Sequence, residues 1–500
     1  MSPIGSTAAS MNPPDRLRAR SVLAGFLLIC IALVLSESAG AQPAQTQPDT
    51  TAFGDRLQPR VSVQVAAGTD GRLPFWFVSN EFGRFARRSP AVMTSFGGDL
   101  TARPSRRFDV AAGADLVARG ADQSTLYAHE LYVQGVAGPV TATVGRVERI
   151  QGLVDTSLTV GGTTLSHNAT PIPALRIETP SYVEVPFTNG FLAGRGSFSH
   201  GWLESSRFVD RPYLHSKQFY LRVFPERWPV QLHGGTVHNV VWGGTHPDLG
   251  NLADGFSTFL DVIFVQEIEQ GETLPGEGED SGIGNSTAAY DFAVTAQRND
   301  WKGRIYRQFY IDTAAGSRFR NLWDGLWGVS LAREESSHWV DRVLFEHLRF
   351  VRQNAVWGAD GRRGARGREV YYNNFTYLSG WTYHGQVLGT PLARTLADAP
   401  RLDASPNGFP VVNNIIVANH LGAQGHIAAD WTYTALLTYS RNHGMLFTPQ
   451  PRLDQLSVLL EATGRVLPTY DLAATVGVAV DTGELYEERA GLRFGLTWTP

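Results

Sequence analysis

The stretch GLRFGLTW, Gly491 to Trp498, places Leu492, Phe494, Leu496 and Trp498 on one side and Gly491, Arg493, Gly495 and Thr497 on the other. Successive side chains of a β-strand point to opposite faces, so this alternation reads as a strand with one apolar and one polar side. Two architectures produce it. In a soluble sandwich or propeller the apolar side packs inward, whereas in a membrane barrel it meets lipid and the polar side lines a lumen. An aromatic near the end of an alternating last strand is common in outer-membrane barrels, although Thr499 and Pro500 follow it here.

Strands of the same kind recur along the chain. In WTYTALLTYS, Trp431, Tyr433, Ala435, Leu437 and Tyr439 share a face, with aromatics at both ends of it, where two membrane interfaces would lie. LAATVGVAVD sets Val476, Val478 and Val480 against Thr475, Gly477 and Asp481, and RVSVQVA sets Val61, Val63 and Val65 against Ser62 and Gln64. WKGRIYRQFY opposes Trp301, Ile305 and Phe309 to Lys302, Arg304 and Gln308, with Arg307 interrupting the apolar face. Only HWVDRVLFEHLRFVRQN resists, since Val340, Val343, Leu344, His347, Leu348 and Val351 recur at helical spacing. A helix and an irregular strand both fit it.

The N-terminal region carries Arg16, Arg18 and Arg20, then the apolar run Val22 to Leu35, then small residues, which is the pattern of a secretory signal peptide. We expect residues 1–41 to be that signal, 42–59 to be a linker and 60–500 to be the barrel. The apolar run is short for a helical membrane anchor, which needs about 20 residues. The one cysteine, Cys30, falls inside it, so the exported chain would hold no disulfide. With 52 glycines, 11% aromatic and only 18% charged residues, the composition suits many strands and turns with an aromatic girdle. A formal charge of -4 gives no reason to expect a nucleic-acid partner, which calls for a basic surface. Allowing roughly 25 residues per strand with its share of turn and loop, the chain accommodates about 16 to 20 antiparallel strands.

Candidate chemistry is sparse. LHGGTVHNVVWGGTHP, Leu232 to Pro247, gathers His233, His238 and His246, but an odd spacing sends His233 and His238 to opposite faces of a strand, which does not suit a shared metal. Gly235, Gly243 and Gly244 read as turns or as places where a bulky neighbour approaches. The acidic loop from Glu267 to Asp280 lacks the register of a calcium loop and reads as solvated. Arg362, Arg363, Arg366 and Arg368 form a loop whose guanidinium forks suit carboxylates or phosphates, and a merely solvated loop is the equal alternative. No hydrolase elbow, zinc helix, phosphate loop or dinucleotide motif is present. We therefore expect no catalytic residue, no metal and no cofactor.

LPFWFVSNEFG at Leu73, SHNATPIP at Ser166, LHSKQFYLR at Leu214, HGGTVHNVVWGG at His233, RNLWDGLWGVSL at Arg320 and YYNNFTYLSGWTYHG at Tyr371 occur in an order that resembles the capsule-assembly Wzi family, from about Leu57 to Pro500. The resemblance implies an outer-membrane antiparallel β-barrel of about 18 strands, with a closed lumen, in the cell outer membrane of a Gram-negative bacterium. It also implies a lectin-like surface that anchors or organises capsular or exopolysaccharide. The linker is too short for a helical bundle, so a plug would come from internal loops, near Asn80 to Met93 or the Val340 segment. The expected contacts with sugar are Trp242, His238, Trp381 and Tyr383 by stacking or hydrogen bonding, and Arg362, Arg363, Arg366 and Arg368 on acidic groups. The expected partners are polysaccharide and outer-membrane lipid, with the chain as a monomer. A substrate-specific porin for small anionic or sugar solutes, lined by Lys302, Arg304 and Gln308, is the alternative. A glycan-processing enzyme using paired carboxylates is a third reading.

Overall fold

The computed structural model describes residues 56–105, 107–121, 124–265, 284–312, 317, 319, 321–334, 337–353 and 369–500. The expected signal peptide, the acidic loop from Glu267 to Asp280 and the arginines Arg362, Arg363, Arg366 and Arg368 lie outside them.

Eighteen strands form one sheet. In chain order they are β1 Arg56–Gly68, β2 Ala91–Ser105, β3 Phe108–Gly120, β4 Thr125–Ala137, β5 Val140–Arg146, β6 Ala174–Glu184, β7 Leu192–Trp202, β8 Tyr213–Val223 and β9 Val230–Trp242. They continue as β10 Asn285–Arg298, β11 Trp301–Ile311, β12 Gly325–Arg333, β13 Arg342–Phe350, β14 Ile416–Ala428, β15 Trp431–Met445, β16 Thr448–Leu467, β17 Leu472–Gly483 and β18 Arg489–Trp498. Each pairs antiparallel with the next, and β18 returns to β1 through Val61↔Trp498, Val65↔Phe494 and Gly68↔Gly491. Closure leaves no sheet edge, as lipid requires. The first strand begins at Arg56, four residues inside the stretch read as linker.

The side-chain pattern is that of a membrane barrel. On β18, Leu492 is 65% and Phe494 50% exposed, while Arg493 between them is 4%. On β17, Val476, Val478 and Val480 are exposed and Asp481 is buried. Apolar outside and polar inside is the reverse of a soluble fold, which excludes the sandwich reading. The segment of helical spacing is strand β13, with Val343 and Phe345 facing out and Leu344, Glu346 and Leu348 buried inside.

The two ends differ. Links on the side of the first and last strands' free ends are tight, such as 138–139, 299–300 and 429–430, whereas the opposite side carries 69–90, 147–173, 243–284 and 351–415. Short turns face the periplasm and long loops the exterior in such barrels. The periplasmic rim is ringed by the exposed Trp228, Trp339, Tyr470 and Trp498, at the level where amphipathic rings meet lipid headgroups.

Three of the long segments fold into the lumen instead of standing above it. The first, 69–90, contains the short helix α1, Phe75–Val78, whose Phe75, Trp76 and Phe77 are buried. Its Glu81 accepts a 2.7 Å bond from Arg493, which also binds Glu461 and stacks 4.9 Å from the Phe77 ring. The second, 147–173, is held from several sides: Gln151 by Ser216 on β8 and Asn239 on β9, Thr163 by Gln308 on β11, Leu158 by His420 on β14, and Asp155 by Arg342 on β13. Glu346 of β13 accepts from Thr159 Oγ1 and the Val160 amide, both at 2.7 Å. The third, 369–415, docks on the second through Trp381 Nε1, which donates to the Thr164 carbonyl at 2.6 Å, and through the Ser166 amide, which donates to Leu388. Together they are the plug. It begins before Asn80 and ends before Met93, which already belongs to β2, and the Val340 segment takes no part in it.

A second helix, α2, Phe256–Phe264, lies outside the barrel. Val262 packs on Val240 and Trp242 of β9, and Lys217 of β8 donates to the Val262 and Ile263 carbonyls at its C-terminus. A cation at that end of a helix answers both the free carbonyls and the dipole.

Candidate functional site

At the outer end, the first and third plug segments meet the β17–β18 link around a shallow cleft. Arg72, Arg87, Arg394 and Arg489 line it with Phe75, Tyr486 and Asp398. The arginines come from the loop after β1, from the third plug segment and from the first residue of β18, so only the closed barrel brings them together.

Each is held differently. The Arg394 guanidinium sits 4.3 Å from the Phe75 ring and 5.3 Å from that of Tyr486, and its Nε donates to the Tyr486 hydroxyl at 2.5 Å. Such stacking is worth about 0.5–2 kcal/mol and fixes the plane of the fork. Arg87 pairs with Asp398 and donates to the Gly385 carbonyl at 2.8 Å, and Arg72 donates to the Ala397 carbonyl at 2.9 Å. Arg489 lies 5.3 Å from the Tyr486 ring with its buried Nε unpartnered. Arg401 joins from the rim, donating to the Tyr486 carbonyl at 3.0 Å.

Charge runs in one direction here. Burial alone would push the Asp398 carboxyl up, but Arg87 and Arg394 outweigh it and hold the group below its ordinary value. Burial pushes the Tyr486 phenol up to about 12 against the opposing pull of Arg394, so it stays a neutral donor. Arginines in excess over carboxylates, held in place by the buried Phe75 and Tyr486 rings, suit a ligand bearing carboxylate groups.

The residues singled out in the sequence are elsewhere. Trp242 is 2% exposed, enclosed by Tyr213, His200 and Phe259 of α2. Trp381 and Tyr383 are 0% and 1% exposed within the plug. His238 is covered on the outer wall, where its Nε2 meets Ser286 Oγ at 3.1 Å. Covered rings have no face to offer a sugar, so these four are corrected from contact residues to packing residues. The opposite-face reading of the histidines is met: His233 turns into the lumen, between Tyr182 and Thr295, and His246 accepts the Asp248 and Leu249 amides in a turn. Gly235 is where Tyr220 comes closest, since a Cβ there would stand 2.3 Å from its ring, and Gly243 and Gly244 turn the chain at positive φ.

An apolar-out closed barrel with its outer loops folded into the lumen and a cationic cleft at that end is an outer-membrane protein. The family model for the capsule assembly protein Wzi matches residues 53–398, and the chain belongs to that family. Among solved structures it is similar to the Escherichia coli outer-membrane protein Wzi, described as a carbohydrate-binding β-barrel involved in group 1 capsule assembly, with 12% identity, a TM-score of 0.53, and coverage of 87% of this chain and 83% of that one. The Pseudomonas aeruginosa protein OccK5 matches with 9% identity and a TM-score of 0.44, covering 89% and 97% of the two chains. No curated protein matches in sequence.

Proposed function

We propose that this protein is a non-enzymatic anchor that retains an acidic capsular or exopolysaccharide at the cell surface, acting as a monomer in the outer membrane. The observation that carries the proposal is the combination of a lumen crossed by its own loops with an arginine-and-tyrosine cleft open to the exterior. Uronate or similar groups would take the forks of Arg72 and Arg489. Arg362, Arg363, Arg366 and Arg368, which lie outside the described residues, would be further groups for acidic sugars. Residues 1–41 would direct export. A porin reading fits less well, because Gln308 is engaged by Thr163 and Arg304 by the Val154 carbonyl, so neither lines an open path.

Deleting the gene should move polysaccharide from the cell-bound to the released fraction with total synthesis unchanged. Restoring the protein as Arg72→Gln with Arg489→Gln should recover barrel assembly but less than half of the retention. Unchanged cell-bound polysaccharide in the deletion strain would sink the reading.

A further inference from the structure

The opposite end of the lumen carries a second basic surface that the plug and the outer cleft do not use. On β7 to β11, neighbouring registers bring Arg195 opposite Tyr220, Arg222 opposite His233, and Arg304 opposite Thr295. All lie toward the periplasmic ends of their strands. His233 stands among Arg195, Arg222, Lys302 and Arg304. The Tyr182 ring has two guanidinium groups near it, Arg195 at 5.2 Å and Arg222 at 5.5 Å, and Arg195 is also 5.0 Å from Tyr220.

Of the acidic groups nearby, only Glu226 engages one of these arginines. Asp155 pairs with Arg342, Asp291 accepts from the Tyr220 hydroxyl, and Glu226, at the exposed rim, pairs with Arg222 at 3.1 Å. Among the described residues no carboxylate lies within 4.0 Å of Arg195, Lys302 or Arg304. Arg304 donates to the Val154 carbonyl of the plug at 3.2 Å. Arg222 is 6% exposed, and the Nε atoms of both Arg222 and Arg195 are buried without a partner. Buried donors left unmatched cost roughly 1–3 kcal/mol each, a cost an oxyanion in the vestibule would remove.

We propose that this vestibule is an anion-binding site open to the periplasm, taking one carboxylate or phosphate group on Arg195, Arg222, Lys302 and Arg304, with Tyr182 beside it to pack against an attached ring. It is a blind site beneath the plug, distinct from the outer cleft, and it stands whether or not that cleft holds polysaccharide. A chain leaving the periplasm with an acidic residue, or free phosphate, presents the required chemistry.

The test is equilibrium dialysis of the full-length protein in detergent against labelled inorganic phosphate and, separately, a labelled glucuronate disaccharide. At low ionic strength, saturable binding of at least one probe should weaken about tenfold in Lys302→Gln, which is exposed and leaves the packing intact, and further in Arg195→Met. Arg72→Gln in the outer cleft should leave that component unchanged. Disaccharide binding with little phosphate binding assigns the site to acidic glycan, and the reverse assigns it to phosphate. Binding of neither probe, or binding that Lys302→Gln and Arg195→Met both leave intact while the variants keep their folded mobility, overturns the site.

Discussion

At the residue scale, the outer cleft depends on Asp398, the one carboxylate lining it. Its group is held below the ordinary 3.8 by Arg87 and Arg394. A depressed folded value means that the pair stabilises the third plug segment at all pH values above the unfolded one and that this support drains away as pH falls through the folded one. Protection of the Asp398 and Ala399 amides, which donate to the Thr395 carbonyl, should therefore hold at neutral pH and drain away only in acid, as pH falls through the depressed Asp398 value. Asp398→Asn should lower that protection at neutral pH by about 1–3 kcal/mol, read as hydrogen exchange corrected for intrinsic rate. Equal protection in the variant would mean that Arg87 holds the segment through Gly385 alone. None of this cleft was legible in the sequence. Arg72 and Arg489 are joined only by closure of β18 on β1, and no local spacing marks them. Arg493, by contrast, was read correctly as inward because its own strand alternates.

At the element scale, alternation worked wherever a strand faces lipid on one side and polar plug contacts or water on the other. It failed on β13, where the lumenal Leu344, Leu348 and Phe350 are apolar because the plug's Tyr371 and Tyr372 pack there. With both faces apolar, a period of two disappears and a helical spacing emerges by chance. The aromatic run at Tyr371 misled for a related reason. Its Trp381 and Tyr383 were expected to meet sugar, but the segment turns inward and buries them. The outer helix α2 was not anticipated either, though the covered Lys217 and His238 of its seat were both in quoted motifs. Val262 is fully buried against β9, so Val262→Asp places a charge against Val240 and Trp242 without a partner. We expect chymotrypsin to cut that variant at Phe256 to Phe264 under conditions where the native helix survives, while the barrel keeps its heat-modifiable mobility. Resistance equal to the native protein would show that the capping by Lys217 suffices.

At the scale of the whole molecule, the barrel class and a range of about 16 to 20 strands followed from composition and alternation and the figure of 18 from the family resemblance, whereas the way the lumen is filled did not. A barrel of this size encloses more space than its inward side chains can occupy. The segments that fill it are irregular, with side-chain and backbone bonds to scattered wall residues such as Gln308, Arg342, Glu346 and His420, a pattern that leaves no periodic trace. Those bonds make the plug a fixed part of the wall. Glu346 alone accepts from Thr159, Val160 and Tyr306, so losing it leaves three buried donors, each costing about 1–3 kcal/mol. The purified protein in a planar bilayer should accordingly pass no steady current in either polarity. Glu346→Ala should open and close intermittently as the second plug segment detaches, with conductance that rises under applied voltage. A steady current through the unaltered protein would mean that the plug leaves a continuous path past it. The basic wall from Arg195 to Arg304 would then serve as the lining of an anion pore rather than a blind site beneath a seal.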